Sequence, residues 1–227
     1  MLTLTSVHKT YSRRNQKVAA LDNVTLTVGS GEFVSVVGPS GSGKSTLLLV
    51  LGGMLTPESG EVEIGGESLY AMSPSNRARV RREKVGFVFQ TFNLVPYLTA
   101  LANVQVPLYL RGKEPAEQIA RATELLEQVG LGDRLDHKPS ELSVGQQQRV
   151  ALARMMANDP QIILADEPTG NLDPATGDQI LGFLETLNRA GKLVLMVTHD
   201  MRAASRAGRI LKLKDGRVEE LNVADDS

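Results

Sequence analysis

The feature that most restricts how this chain can fold is a glycine-rich stretch set between two regular patterns. It reads Gly38-Pro39-Ser40-Gly41-Ser42-Gly43-Lys44-Ser45-Thr46, and its first eight residues fit G-x-x-x-x-G-K-[ST]. An apolar strand pattern covers 33–37 before it, and a helical pattern covers 46–51 after it. Glycines let successive backbone N–H groups surround a phosphate, and a helix N-terminus adds positive potential there. The sequence therefore predicts a strand, a phosphate-binding loop and a helix in direct succession.

Two pairs of polar residues predict the chemistry at this loop. Lys44 is expected to reach the β- and γ-phosphates of ATP, and the Ser45 hydroxyl is expected to ligate Mg²⁺. A second apolar run, 162–165, ends in Asp166 and Glu167. Asp166 would hold Mg²⁺ through water, and Glu167 would polarise the attacking water as a general base. These residues predict ATP hydrolysis assisted by Mg²⁺.

The composition limits the classes of protein to which the chain can belong. Its 227 residues suit one large domain, whose core needs no disulfide or metal. The chain has no cysteine, which excludes zinc ribbons and thiol chemistry. The formal net charge of −1 argues against a nucleic acid partner. The apolar run 47–51 is far shorter than the roughly 20 residues of a membrane span, so we expect a soluble chain.

Short apolar runs typical of β-strands recur along the chain, with helical patterns between several of them. The predicted strands are 2–7, 24–28, 33–37, 61–64, 85–89, 162–165, 193–197 and 209–213. This alternation predicts an α/β fold, a P-loop NTPase with a mostly parallel central sheet. The early strands are separated by turns at 22–23 and 29–31 that are too short for helices. They predict an antiparallel β subdomain at the N-terminal side.

The stretch 91–158 has no strand pattern and is predicted to be helical. Within it, 114–129 shows the three- and four-residue spacing of an amphipathic helix, with its apolar face at Ile119, Ala122, Leu125, Leu126 and Val129. Gly130 and Gly132 supply the signal that ends this helix. We therefore expect one domain, 1–227, with a helical subdomain, 91–158, inserted into an α/β core formed by 1–90 and 159–227.

A basic run before the strand at 85–89 has two interpretations. It consists of Arg77, Arg79, Arg81, Arg82 and Lys84, with one acidic neighbour at Glu83. The run could bind phosphate or lipid headgroups, or it could be the solvated face of a helix. The second interpretation is favoured, because charge runs of this length usually face water.

The segment 141–154 distinguishes among proteins that have a phosphate loop. It reads Glu-Leu-Ser-Val-Gly-Gln-Gln-Gln-Arg-Val-Ala-Leu-Ala-Arg and resembles the signature motif of ATP-binding cassette (ABC) ATPases. Ser143 and Gly145 offer a hydroxyl and an open backbone at a helix start, which favours an anion. The resemblance implies that Ser143, Gly145 and Gln146 face the γ-phosphate held by a second copy. A homodimer would then enclose two ATP molecules head to tail, and the core would be RecA-like.

The resemblance covers nearly the whole chain and implies roles for four other residues. Tyr11 matches an aromatic residue that stacks on adenine, although an ordinary half-buried tyrosine is an equal alternative. Gln90 matches a glutamine that senses Mg²⁺ and the attacking water. Asp173, in Asn171-Leu172-Asp173, matches the loop that crosses the dimer interface. His199 matches a histidine that contacts the γ-phosphate.

Two segments, 86–96 and 168–173, resemble one branch of the ABC ATPases. This branch holds the macrolide exporter, lipoprotein-release and FtsE cell-division ATPases. It implies a cytoplasmic subunit, peripheral on the inner face of the membrane, whose partner is a permease with few transmembrane helices. Export, lipoprotein release and mechanical signalling all remain open. The residues Phe92, Leu94, Val95, Pro96 and Tyr97 form either a groove for a permease helix or the local packing of a loop.

Two positions depart from the pattern of the family. Val144 stands where the signature usually has glycine, and a positive φ at a valine would be strained. Ala102 stands where the branch commonly has glutamate, next to Asn103. The first departure concerns the signature motif, and the second concerns the identity of the membrane partner.

Two other classes of P-loop protein are disfavoured. A soluble ABC ATPase acting on DNA would carry a long coiled coil or a zinc hook between its nucleotide motifs. One acting on the ribosome would carry two cassettes in a chain. The interval between Gln90 and Ser143 is short and has no cysteine. A P-loop kinase would lack the segment 143–154.

Overall fold

A computed structural model of the chain describes residues 1–13 and 16–221. Ten strands are present in these ranges: β1 Leu2–Arg13, β2 Gln16–Val28, β3 Phe33–Val37, β4 Ser59–Ile64, β5 Glu67–Ser68, β6 Val85–Val88, β7 Ile162–Asp166, β8 Leu193–Thr198, β9 Arg209–Lys214 and β10 Arg217–Glu220. The α-helices in the same ranges are α1 Lys44–Leu51, α2 Pro74–Lys84, α3 Ala100–Leu110, α4 Pro115–Gln128, α5 Val144–Met156, α6 Pro174–Arg189 and α7 Met201–Ala204.

The central sheet has six strands in the order β10-β9-β3-β8-β7-β6. Strands β9, β3, β8, β7 and β6 run parallel, and β10 pairs antiparallel with β9. Successive side chains of β7 and β8 enter two apolar cores on opposite faces of the sheet. Because both faces are covered, these strands are continuously apolar, which is why the sequence shows them clearly. The carboxyl ends of β3, β6, β7 and β8 all lie at one edge of the sheet.

A second, antiparallel sheet has the order β2-β1-β4-β5, and it confirms the predicted N-terminal β layer. The predicted turn at 29–31 is also present, with Gly31 at φ +75°. The turn predicted at Asp22-Asn23 is wrong, since β2 continues through it. Asn23 has φ +55°, and the register of β1 against β2 shifts nearby, so this polar pair marks an irregularity within a strand.

The stretch 91–158 is helical in the structure. Helix α4 begins after Glu114 and ends at Val129, and Gly130 follows with φ +71°. Its residues Leu125 and Leu126 are buried in the same core as α3, α5 and one face of the central sheet. The expected division into a core and a helical subdomain stays a prediction.

The prediction that Ile119 belongs to the buried apolar face of α4 is wrong. Ile119 is 50% exposed, whereas its neighbour Gln118 is buried. The amide of Gln118 donates to the carbonyl of Lys113 at 2.7 Å, which satisfies that donor inside the protein. The buried face of α4 therefore begins at Gln118, four residues before Ala122, and not at Ile119.

The basic run forms helix α2, as the favoured interpretation predicts. Ser73 caps its N-terminus, and Val80 is its buried residue. The guanidinium of Arg77 lies 5.0 Å from the ring centre of Tyr70, and Lys84 pairs with Glu67 at 2.7 Å. These cations lie at the surface and are engaged locally.

No helix within residues 1–13 and 16–221 combines the length and apolarity that crossing a bilayer requires.

Candidate active site

A cavity of about 560 Å³ opens at the edge where the parallel strands end. Its walls come from strands β1 and β2, the phosphate loop, the start of α1 and the ends of β6, β7 and β8. The lining residues are Tyr11, Val18, Ala20, Ser40, Gly41, Gly43, Lys44, Ser45, Thr46, Gln90, Asp166, Glu167 and His199. Residues predicted from motifs far apart in the chain thus meet in one place, as expected for the carboxyl edge of an α/β sheet.

The glycine at the end of the phosphate loop is required by its surroundings. Gly43 has φ +105°, and a Cβ there would lie 2.1 Å from the carbonyl oxygen of Ala20. A Cβ on Gly38, at the start of the loop, would lie 2.3 Å from the carbonyl oxygen of Leu213. Gly38, Pro39 and Ser42 do not line the cavity, but they shape the loop that does. The backbone can curve this tightly only without side chains at its two ends.

Lys44 begins helix α1 and is 8% exposed. Its ammonium donates to the carbonyls of Gly38 at 2.8 Å and Pro39 at 3.1 Å, and it lies 3.9 Å from a Glu167 carboxylate oxygen. The ammonium is therefore held inside the curve of the loop. A phosphate in this loop would meet one fixed positive charge together with the N-terminus of α1.

Ser45 and Asp166 offer hard oxygen ligands beside this charge. The Ser45 hydroxyl donates to a carboxylate oxygen of Asp166 at 3.2 Å. Burial raises the pKa of the Asp166 carboxyl, the Ser45 hydrogen bond lowers it, and the nearby Glu167 charge raises it. A divalent cation would relieve both unfavourable effects. A hydroxyl and a carboxylate at this spacing fit Mg²⁺, which prefers oxygen ligands.

Glu167 is the most restrained carboxylate of the cavity. Its backbone has φ +46°, which is rare for a residue other than glycine. One carboxylate oxygen accepts from the Thr198 hydroxyl at 3.1 Å and the His199 backbone N–H at 3.3 Å. The other oxygen lies 2.9 Å from Nδ1 of His199. The end of β8 therefore aims this carboxylate at the phosphate loop.

Gln90 and Tyr11 also line the cavity. Gln90 follows β6, and its backbone carbonyl accepts from the side chain of Asn171 at 3.0 Å. Tyr11 is 44% exposed, and its hydroxyl lies 3.4 Å from that of Thr46. The tyrosine thus presents a ring beside the start of α1, where a base attached to a bound triphosphate could reach it.

The signature residues lie elsewhere in the chain. Ser143 caps α5 and accepts from the N–H of Gln146 at 3.2 Å, while the Gln146 side chain accepts from the N–H of Ser143 at 2.8 Å. Neither residue lines the cavity, and neither does Gly145 or Asp173. Asp173 caps α6 by accepting from Thr176, which lowers the pKa of its carboxyl. One chain therefore does not bring these four residues to its own phosphate loop.

The comparisons with known proteins agree with this geometry. The sequence profile described as "ABC transporter" matches residues 21–170. The chain belongs to the ABC transporter family. An ABC transporter ATP-binding protein of Thermotoga maritima is 50% identical over 96% of this chain and 94% of its own length. As a member of the family, the chain is the nucleotide-binding, ATP-hydrolysing subunit.

Two further relatives extend the comparison. The macrolide export ATP-binding/permease protein MacB of Escherichia coli is 47% identical to this ABC ATPase. The match covers 96% of this chain and 34% of the length of MacB. The cassette MJ0796 of Methanocaldococcus jannaschii was solved as a dimer in a post-hydrolysis state bound to ADP and Pi. The two structures superpose with a TM-score of 0.90 and are 46% identical in sequence. The match covers 98% of this chain and 99% of the MJ0796 chain. The RecA-like ABC fold is thereby confirmed.

Val144 stands where the signature motif usually has glycine, and it causes no backbone strain in this ABC ATPase. Val144 is the first residue of α5 and has a negative φ. Its side chain is 47% exposed, so it points away from the core. The strain expected from a positive φ at Val144 is therefore absent.

Sequence reasoning missed several residues that shape the site. Val18 and Ala20 line the cavity from β2, and Thr198 holds Glu167. Gln148 and Arg154 of α5 donate to backbone carbonyls of the loops after Glu167 and Gln90. No sequence signal marks these contacts, because each joins residues that only the tertiary fold brings together.

Proposed function

We propose that two copies of this ABC ATPase close head to tail around two ATP molecules and that the cycle does work on a separate membrane permease. The observation that carries the proposal is the division of the predicted residues. Lys44, Ser45, Asp166, Glu167 and His199 converge on one cavity, and Ser143 lies outside it. A second copy would supply the missing anion-binding helix start.

Hydrolysis follows from the positions of four side chains. Lys44 would bind the β- and γ-phosphates, and Glu167 would accept a proton from the attacking water. His199 and Thr198 hold the Glu167 carboxylate in one orientation, which spares it reorganisation during the reaction. Bound Mg²⁺, held by Ser45, Gln90 and Asp166, would neutralise phosphate charge that develops during transfer.

Dimerisation uses surfaces that are free in the single chain. Ser143 is exposed at the N-terminus of α5, a helix of 13 residues. Its hydroxyl accepts one hydrogen bond and keeps its own proton available for an incoming phosphate. A two-fold axis would place each α5 start over the other chain's Lys44, with Asp173 and its neighbours at the interface. Adenine would stack on Tyr11.

A groove of about 470 Å³ beside α2 and α3 supports a permease partner. Met54, Phe87, Phe89 and Leu110 line it, and Met54 and Leu110 are 44% and 58% exposed. An apolar groove of this kind fits one face of an amphipathic helix. We place the permease helix here, although the residues predicted to form a permease groove do not line it: Phe92, Leu94, Val95, Pro96 and Tyr97. The partner would have few transmembrane helices, as in the macrolide-exporter branch, and the ATPase would lie on the cytoplasmic face of the membrane.

The test is Glu167→Gln, which keeps volume and hydrogen-bonding capacity but removes the base. We expect steady-state hydrolysis to fall by about 10²–10⁴-fold while ATP binding persists, because base catalysis has that magnitude. Size-exclusion chromatography with ATP should show a stable dimer. Glu127→Gln, at an exposed position of α4, is the matched control. Near-normal hydrolysis by Glu167→Gln would refute the assignment.

A further inference from the structure

Helix α5 contacts both loops that carry the predicted water-handling residues. Gln148 contacts the loop after Glu167, and Arg154 contacts the loop after Gln90. The two side chains are separated by about 9 Å along the helix axis, given the rise of 1.5 Å per residue. The loops follow the paired strands β6 and β7, and the rigid helix α5 contacts both of them from outside the sheet.

The contact of Gln148 is buried and specific. Its side chain is fully buried, and its amide nitrogen donates to the carbonyl of Pro168 at 2.7 Å. Its amide oxygen has no partner in the described part of the chain. A buried amide is costly unless its hydrogen bonds matter, and an apolar side chain would fill the same space more favourably. The donor to Pro168 is therefore the feature that distinguishes glutamine here.

Pro168 directly follows the strained residue Glu167. A left-handed backbone is unfavourable for glutamate, and a following proline restricts the preceding residue further. The N–H of Glu167 donates to Val197 at 2.9 Å, which fixes the residue from the β8 side. Gln148 fixes the next carbonyl from the α5 side. The catalytic backbone is thus held between a sheet and the signature helix.

Arg154 makes the equivalent contact at the other loop. Its guanidinium donates to the carbonyls of Asn93 at 2.6 Å and Phe92 at 2.7 Å. Both residues have positive φ, +51° and +58°, so this loop also holds two strained non-glycine residues. The planar fork of arginine can satisfy two adjacent carbonyls, which a lysine ammonium does less well. Gln90 lies two residues before this clamp.

We propose that Gln148 and Arg154 are positioning residues that make the placement of Glu167 and Gln90 depend on α5. The helix that offers Ser143 to the partner's nucleotide would then also orient the water-handling groups of its own chain. This inference rests on the proposed roles of Glu167 and Gln90. It predicts that weakening either contact slows turnover without weakening ATP binding.

Gln148→Met tests the first contact, because methionine keeps the volume and removes the donor. We expect kcat to fall by about tenfold and KM for ATP to stay within about twofold. This pattern is expected because the lost hydrogen bond orients Glu167 in the transition state and does not bind ATP. Gln128→Met is the control. Gln128 is exposed on α4, donates to Glu124 at 3.0 Å and does not line the cavity. Its variant should hydrolyse ATP like the wild type.

Arg154→Lys tests the second contact and keeps the charge at a half-buried position, so it remains informative if Gln148→Met fails to fold. We expect lower kcat at unchanged KM and faster amide hydrogen exchange over 91–95. Arg149→Lys is the control, since Arg149 also donates from α5 to a backbone carbonyl, that of Val129 at 3.1 Å. Exchange over 91–95 should be unchanged in that variant.

The outcomes separate this inference from the proposed function. If Glu167→Gln hydrolyses ATP normally, the proposed function fails and the positioning roles fail with it. If Glu167→Gln is inactive but Gln148→Met and Arg154→Lys keep wild-type kcat, only the positioning roles are wrong. A parallel loss of kcat and ATP affinity in both variants would also overturn them, because it would indicate general damage.

Discussion

Gly43 and Gly41 lie in the same phosphate loop, and both have positive φ, +105° and +81°. They differ in their surroundings. A Cβ on Gly41 would have no atom within 4 Å, whereas one on Gly43 would collide with the Ala20 carbonyl. Gly41→Ala should therefore cost about 1–2 kcal/mol of unfolding free energy from backbone strain alone. Gly43→Ala should cost more and weaken ATP binding by at least about tenfold, because Lys44 must move with the loop.

Urea denaturation would measure the free energy of unfolding of each variant, and titration with a fluorescent ATP analogue would measure its affinity for ATP. Gly41→Ala serves as the matched control, since it shares the strain and lacks the collision. Equal effects from the two substitutions would show that the contact with Ala20 does not restrict the loop.

Asp166 predicts a dependence of stability on pH in the nucleotide-free protein. Burial raises the pKa of its carboxyl in the folded state. Between the unfolded pKa, near 3.9, and the raised folded pKa, the unfolded chain binds fewer protons than the folded chain. The free energy of unfolding therefore falls as pH rises through this interval. Asp166→Asn removes this penalty and should raise Tm at pH 7, by about 2–4 °C for each kcal/mol regained.

The gain should shrink as pH falls through the folded pKa of Asp166 and vanish below the unfolded one. Thermal melts of both proteins between pH 4 and pH 7 would follow it, about the range in which carboxyl groups titrate. Hydrolysis by Asp166→Asn should be lost throughout. A Tm difference that is independent of pH would assign the gain to another cause.

At the residue scale, the sequence predicts the groups that have a motif and misses those that support them. Lys44, Asp166 and Glu167 were predictable because a phosphate loop and a strand end define their positions. Thr198 and Gln148 were not, because their partners lie far away in the chain and depend on how the elements pack. Their residue types also occur widely outside functional sites.

At the scale of elements, burial decides what the sequence reveals. The buried strands β3, β7 and β8 are apolar except for Ser35 and the terminal residues Asp166 and Thr198, and they were predicted. Strand β5 has two residues, and β10 is mostly polar, so neither shows a pattern. On α4, periodicity predicted the helix but not the edge of its buried face, where a buried Gln118 with a satisfied amide stands beside an exposed Ile119.

Asn103 provides a test of how helix α3 is attached to the loop before it. The side chain is fully buried. Its amide accepts from the N–H of Val95 at 2.8 Å and donates to the carbonyls of Val95, Leu98 and Thr99. Asn103→Leu leaves the part-buried N–H of Val95 and carbonyl of Leu98 without these partners, each worth about 1–3 kcal/mol. We expect an unfolding free energy lower by about 3 kcal/mol, measured by urea denaturation.

The control for this prediction is Gln128→Ala. It also removes a helical amide, but an exposed one that donates to Glu124 at 3.0 Å. Its effect should stay within about 0.5 kcal/mol, as for most surface substitutions. A similar loss in both variants would mean that the Asn103 network contributes no more than a surface contact.

At the scale of the whole molecule, the order of the strands in the sheet could not be predicted from the sequence. The order β3-β8-β7-β6 places four strand ends side by side, although 161 residues separate Val37 from Thr198 (198 − 37). The motifs predicted that Lys44, Ser45, Asp166 and Glu167 share one site, whereas Gln90 and His199 were assigned to it only through the resemblance to the family. The same resemblance predicted that Ser143 belongs to a different nucleotide, and the structure of one chain leaves Ser143 outside its own cavity.

Mixing two inactive variants tests the shared site directly. Lys44→Ala removes the phosphate-binding ammonium. Ser143→Asp keeps a good helix cap for α5 and places a negative charge against an incoming phosphate. Each variant alone should be inactive. In a head-to-tail dimer, one mixed pair combines Lys44 of one chain with Ser143 of the other and rebuilds one site.

Because about half of randomly mixed dimers hold both variants, and each has one intact site of two, activity should recover to about a quarter of the wild-type value. Recovery should require subunit exchange, so it should rise with the total concentration of protein. Mixed dimers shown to form by differential labelling, but without hydrolysis, would contradict a site shared between chains. In that case Ser143 would act within its own chain, and α5 would have to move toward its own phosphate loop by a rearrangement that its contacts through Gln148 and Arg154 oppose.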